Sequence, residues 1–78
     1  MPISSRSGNM AEIVDTKDLG LVVRARRKEL GMRQDELALA ANTSVRFVSE
    51  LERGKPTVRL ENVLRVVSAL GLRIAIGR

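Results

Sequence analysis

The side chains able to do chemistry in this sequence are almost all charged or hydroxylic. Among its 78 residues there is no histidine and no cysteine. General acid–base catalysis would have to rest on isolated Glu or Lys, with no carboxylate pair in an evident pocket. A chain this short has little room for a substrate cavity, so an enzyme is the least expected class. Disulfides and thiolate metal sites are excluded, and scattered Asp and Glu without His do not make a zinc site. No metal or cofactor is expected. What remains is the chemistry of cations. There are 14 Lys and Arg against 9 Asp and Glu, for a net charge of +5. A basic chain seeks polyanions: DNA, RNA or an acidic protein surface. A charge that serves only solubility is the plainer alternative. Single-stranded nucleic acid is bound by stacking bases on several aromatic rings, and here the only ring is Phe47. Duplex DNA is therefore favoured over single-stranded RNA.

A scaffold of this size is one domain, and it buries only about 60% of its unfolded surface. With no disulfide or metal, association with a second chain is the expected source of further stability. No stretch approaches 18 apolar residues, so no membrane span is expected. The first residues are polar and lack the apolar stretch of a signal peptide. Residues 1–14 read as a flexible arm or an upstream extension, Met10 being a second candidate start. A cytoplasmic location is expected, which the absence of Cys fits.

Periodicity and capping residues then place the elements. A first helix begins at the N-cap Asp15, with Asp18 three residues on, and Val14 and Leu19 at the staple positions. Leu19, Val22, Val23 and Leu30 share its apolar face. Gly31 ends it. A second helix is expected over Gln34–Ala41, burying Leu37, Ala38 and Ala41, with Met32 covering the core from the preceding turn. Asp35 and Glu36 suit its dipole, but Arg33 is a poor N-cap, a defect of about 1 kcal/mol. Asn42, tolerant of a left-handed backbone, forms a tight turn. Ser44 caps a third helix whose inward face is Phe47, Val48 and Leu51. Its outward face is Val45, Arg46, Ser49 and Glu50. Gly54 ends it. A fourth helix is expected over about 60–70, with Val63, Leu64, Val67 and Leu70 inward and Gly71 as its stop. Arg59 is a poor cap there, and Thr57 serves if the helix starts earlier. The last stretch, Leu72-Arg73-Ile74-Ala75-Ile76, alternates like a strand. A lone strand needs a partner edge, and the cheapest is its copy across a two-fold axis. The alternative is a tail lying flat on the helices.

The middle of the chain carries a specific pattern. It reads Gly31-Met32-Arg33-Gln34-Asp35-Glu36-Leu37-Ala38, then Asn42-Thr43-Ser44-Val45, then Val48-Ser49-Glu50-Leu51-Glu52-Arg53-Gly54-Lys55-Pro56. This resembles the lambda-repressor-like, or Xre, helix-turn-helix family over about residues 19–71. The resemblance implies an all-α domain of four to five helices over residues 15–71, whose third helix enters the major groove of DNA. It assigns base readout to Ser44, Val45, Arg46, Ser49 and Glu50. The residue types agree. Arg46 can donate twice to guanine, Val45 can pack on a thymine methyl, and Ser49 can bond several edges. Glu50 can accept from cytosine, or else form an ion pair with Arg46 or Arg53. Gln34 resembles the family glutamine that reaches a phosphate from the start of the second helix, itself an anion site. Arg33, Arg53 and Lys55 are the further phosphate candidates, or a solvated basic face. Arg27 and Glu52 match a family ion pair between the first helix and the end of the third.

Phage repressors of this family have a fifth helix where this chain has its strand-like residues 72–78. Four helices and a terminal strand, with Leu72, Ile74 and Ile76 pairing across a homodimer, resemble HipB-type antitoxins. That subgroup represses its own operon at a palindromic operator and binds a HipA-like kinase toxin. A stand-alone regulator, and a helical module for an acidic protein partner, are the alternatives.

Overall fold

The computed structural model describes residues 10–77. Four helices are found among them: α1 (Thr16–Glu29), α2 (Gln34–Ala41), α3 (Val45–Glu52) and α4 (Leu60–Ala69). Of the expected arm, positions 1–9 lie outside the described residues, and residues 10–14 carry no regular structure.

Local signals account for where each helix starts and stops. The Asp15 carboxylate accepts from the Asp18 amide at 2.9 Å, and the Asp18 carboxylate accepts from the Val14 amide at 3.0 Å. The Ser44 hydroxyl accepts from the Phe47 amide at 3.0 Å. At α2 the guanidinium of Arg33 cannot accept a bond. Only the reciprocal half of a capping box forms there, from the Arg33 amide to Glu36 Oε1 at 2.8 Å. Arg59 stands at the N-cap of α4 without a side-chain cap, and α4 does not start early enough for Thr57 to serve. All four helices end in the same doubly bonded turn. At α2 the Asn42 amide reaches Leu39 O at 3.2 Å and the Thr43 amide reaches Ala38 O at 2.9 Å. Asn42 adopts φ 57° and ψ 46° to do so, a left-handed conformation open to few residues besides glycine.

The core draws on every helix: Val23 from α1, Leu37, Ala38 and Ala41 from α2, Val48 and Leu51 from α3, and Val63, Val66, Val67 and Leu70 from α4 and its cap. Helix α2 packs on both α3 and α4, while α1 packs on α3. Three expected core positions differ. Leu30 is the C-cap of α1 and is 45% exposed, because the chain turns away before its side chain reaches the core. Leu64 is 47% exposed and Val66 is buried in its place. The buried stripe of α4 runs 63, 66, 67, 70, a strict helical spacing that leaves 64 on its margin. Phe47 is only half-buried and packs at the edge of the core.

The expected strand is absent from the described residues. Residues 72–77 form no ladder, since a single chain offers them no second edge. Leu72 packs against the core, whereas Ile74 is 51% and Ile76 97% exposed. An apolar groove lined by Ile13, Leu19, Val22, Leu60, Leu72 and Ile74 opens between α1, α4 and this tail.

Candidate nucleic-acid interface

Helix α3 is held from behind by one stripe of α1: Thr16, Gly20, Val23 and Arg27, spaced to share a face. Thr16 donates its hydroxyl to Gly54 O at 2.7 Å, just past the end of α3. A methyl group on Gly20 would lie 2.5 Å from Leu51 O and 2.6 Å from Glu52 O. Only glycine lets the two backbones come this close. That role has no local signal in the sequence, where a glycine inside a helix reads as a cost in propensity.

At the end of the stripe, Arg27 Nε donates to Glu52 Oε2 at 2.7 Å and Nη2 donates to Oε1 at 3.0 Å. Nη1 donates to Met32 O at 2.8 Å. Both side chains are buried. Gln34 joins them, its amide donating to Glu52 Oε1 at 3.0 Å. Burial pushes the Glu52 carboxyl up, but the bonds from Arg27 and Gln34 and the nearby charges of Arg27 and Arg24 outweigh it. The net effect is a carboxyl below its usual range. The same bond holds the Arg27 guanidinium above its ordinary value, with burial opposing. One carboxylate thus ties together α1, the start of α2 and the end of α3.

The outward side of α3 presents Val45, 46% exposed, and Arg46, whose side chain is 86% exposed. Ser44 is exposed at the cap and Ser49 is half-buried. The Glu50 side chain is 19% exposed and lies between two cations. Arg46 Nε donates to Oε2 at 3.3 Å and Lys55 Nζ donates to Oε1 at 3.3 Å. The bond from Lys55 lowers the Glu50 carboxyl most, lost hydration opposes it, and the bond from Arg46 adds to it. Of the phosphate candidates, Arg33 is exposed and bonded to Asp35 at 3.0 Å. Arg53 is exposed at the C-cap of α3. Gln34 and Lys55 already give one bond each to Glu52 and Glu50. The structure therefore gathers Ser44, Val45, Arg46, Ser49, Glu50 and Lys55 around α3, with Gln34 joined to them through Glu52. The part Gln34 plays in the Arg27–Glu52 pair was not evident from residue spacing, because it depends on how α2 is set against α3.

A four-helix domain with an exposed, capped third helix is the architecture of a helix-turn-helix protein. Residues 23–76 match the helix-turn-helix family model, and the chain belongs to that family, in its Xre-type branch of transcriptional regulators. This is a DNA-binding family without enzymatic activity. The chain is 47% identical over 68 residues to an uncharacterised HTH-type transcriptional regulator, y4mF, of Sinorhizobium fredii (strain NBRC 101917 / NGR234). The alignment covers 86% of this chain and 90% of that protein. Its fold is similar to that of a chain in the HipA-HipB-O2-O3 complex, with TM-score 0.81 and 19% identity, over 88% of this chain and 97% of the other. It is also similar to the clp gene regulator ClgR from C. glutamicum, with TM-score 0.67 and 37% identity over 80% of each chain. No helix among the described residues is long and apolar enough to cross a membrane.

Proposed function

We propose that this regulator is a sequence-specific repressor that binds a palindromic operator as a homodimer, and that it is the antitoxin of a HipA/HipB-type operon which it autoregulates. The observation that carries DNA reading is Arg46. It is the most outward charged side chain of α3, on a helix whose other side is locked to α1. Arg46, Val45, Ser44 and Ser49 face the base edges, and Arg33, Gln34, Arg53 and Lys55 are the cationic and polar groups on the phosphate side, Lys55 being bonded back to Glu50. The dimer reading rests on the apolar groove beside α1 and α4 and on Ile74 and Ile76, exposed beyond it. Leu72, Ile74 and Ile76 supply the pairing strand once a second copy provides an edge. The antitoxin reading is supported by the similarity of fold to a chain of the HipA-HipB-O2-O3 complex, with TM-score 0.81 over 97% of that chain. The 37% identity to ClgR favours a second reading, a stand-alone regulator with no toxin.

Selection of bound duplexes from a random pool tests the DNA reading. The expected product is a two-fold symmetric site with half-sites about 34–36 Å apart, or a multiple of that. A pool that stays random overturns it, and leaves the acidic-partner module. Co-purification with a kinase-like protein encoded beside the gene is the expected result for an antitoxin. Its failure leaves the stand-alone regulator.

A further inference from the structure

We infer that Glu50 does not read a base itself but positions Arg46 for guanine and holds Lys55 back from the phosphates. The inference rests on the reading of α3 as the recognition helix. Both carboxylate oxygens of Glu50 are engaged, one by each cation. Its side chain is withdrawn relative to Arg46, at 19% against 86% exposure. Two of the four acceptor sites of the carboxylate are taken by these cations, and the rest of the group sits back from the outer face that Arg46 occupies.

The geometry leaves Arg46 better organised than a lone arginine. A guanidinium has five donors in a fixed plane. With Nε given to Glu50 Oε2, the plane is set and the two terminal nitrogens remain. That is the pair needed for two parallel bonds to the O6 and N7 of one guanine. Lys55 is folded back over the helix end by two bonds to the same residue. Its amide donates to Glu50 O at 3.1 Å and its ammonium donates to Oε1 at 3.3 Å. While Glu50 is ionised, one of the cations nearest the reading face is partly neutralised. Loose, sequence-independent adhesion to DNA is weakened, and discrimination is retained.

The test compares wild type, Glu50→Gln, Glu50→Asp and Arg46→Ala, on the selected duplex, on every single-base variant of it and on random duplex. Glu50→Gln should lower the preference for guanine at one position of each half-site about tenfold. It should also bind random duplex more tightly, with a salt dependence steeper by about one unit of log–log slope. Glu50→Asp keeps the charge but draws the carboxylate back by one methylene. It should lose guanine preference without gaining random affinity. In an Arg46→Ala background, Glu50→Gln should change base preference no further. Loss of a cytosine preference with guanine preference intact would overturn the inference, since Glu50 would then read a base directly. Unchanged preference and unchanged salt slope in Glu50→Gln would overturn it as well. If Arg46→Ala alone leaves the selected sequence unaltered, the recognition-helix reading has failed, separately from the role of Glu50.

Discussion

Two carboxylates two residues apart, Glu50 and Glu52, have opposite surroundings and so different consequences. Glu52 is buried with Arg27 and Gln34. Removing one member of a buried pair leaves a charge without its partner, which is the costly change. Glu52→Ala should destabilise the domain by about 3 kcal/mol in urea unfolding, a large share of the stability of a chain this small. The pH dependence follows from the direction of the Glu52 shift. Its folded value lies below its unfolded one, so its stabilisation is full above about pH 4.3 and is lost as pH falls below that. A melting temperature that falls less steeply with acidification in Glu52→Gln than in wild type checks this. Arg46, by contrast, stabilises little where it stands, since an exposed i,i+4 pair contributes about 0.3–0.5 kcal/mol. Arg46→Ala should therefore keep its unfolding midpoint while losing roughly 1–3 kcal/mol of preference for operator over random duplex. Equal binding of both duplexes by wild type and variant alike would count against a reading role. The outward position of Arg46 was legible from helical periodicity alone. Its bond to Glu50 was one of two alternatives, and the participation of Lys55 depends on how the chain folds back after Gly54.

Among the elements, those with their own local punctuation were legible, and those defined by neighbours were not. Asp15 and Ser44 start helices through their own side chains, and Gly31, Asn42, Gly54 and Gly71 end them through a left-handed backbone. These signals act within five residues, so the sequence carries them. The choice between Leu64 and Val66 in α4 is different. Both are apolar and both lie within one turn of Val63 and Val67, and the side that α4 turns to α2 buries Val66 and leaves Leu64 at the margin. The tail is a third kind, because alternation over residues 72–76 makes a strand only against a second edge. Gly20 belongs with the unreadable ones. Its importance lies in the approach of α1 to the end of α3. Gly20→Ala would gain about 1 kcal/mol of helix propensity in isolation. Here the added carbon would meet backbone at 2.5 Å, and backbone cannot rotate away as a side-chain tip can. The expected net outcome is destabilisation by about 1–3 kcal/mol, as for other overpacked sites, with DNA affinity falling as α3 is displaced. Chemical denaturation together with a binding isotherm separates the two effects.

At the scale of the molecule, each copy has one α3, and the proposed palindromic operator has two halves. The exposed Ile74 and Ile76 beside an apolar groove make the tail the place to intervene. A chain cut after Arg73 keeps Leu72 on the core but loses both isoleucines. It should fold and sediment as a monomer at concentrations where the full chain is a dimer, and prefer a single half-site. A truncated chain that still sediments as a tight dimer would show that another surface holds the copies together. The manner in which α1 grips α3 has a consequence for descent as well. The grip uses the far side of α3, its last backbone carbonyls and Glu52, and none of it passes through Val45 or Arg46. Those positions can turn over at little cost to folding, so, on the proposed reading of α3, duplicated copies of such a gene can drift to different promoters while inheriting one unchanged scaffold.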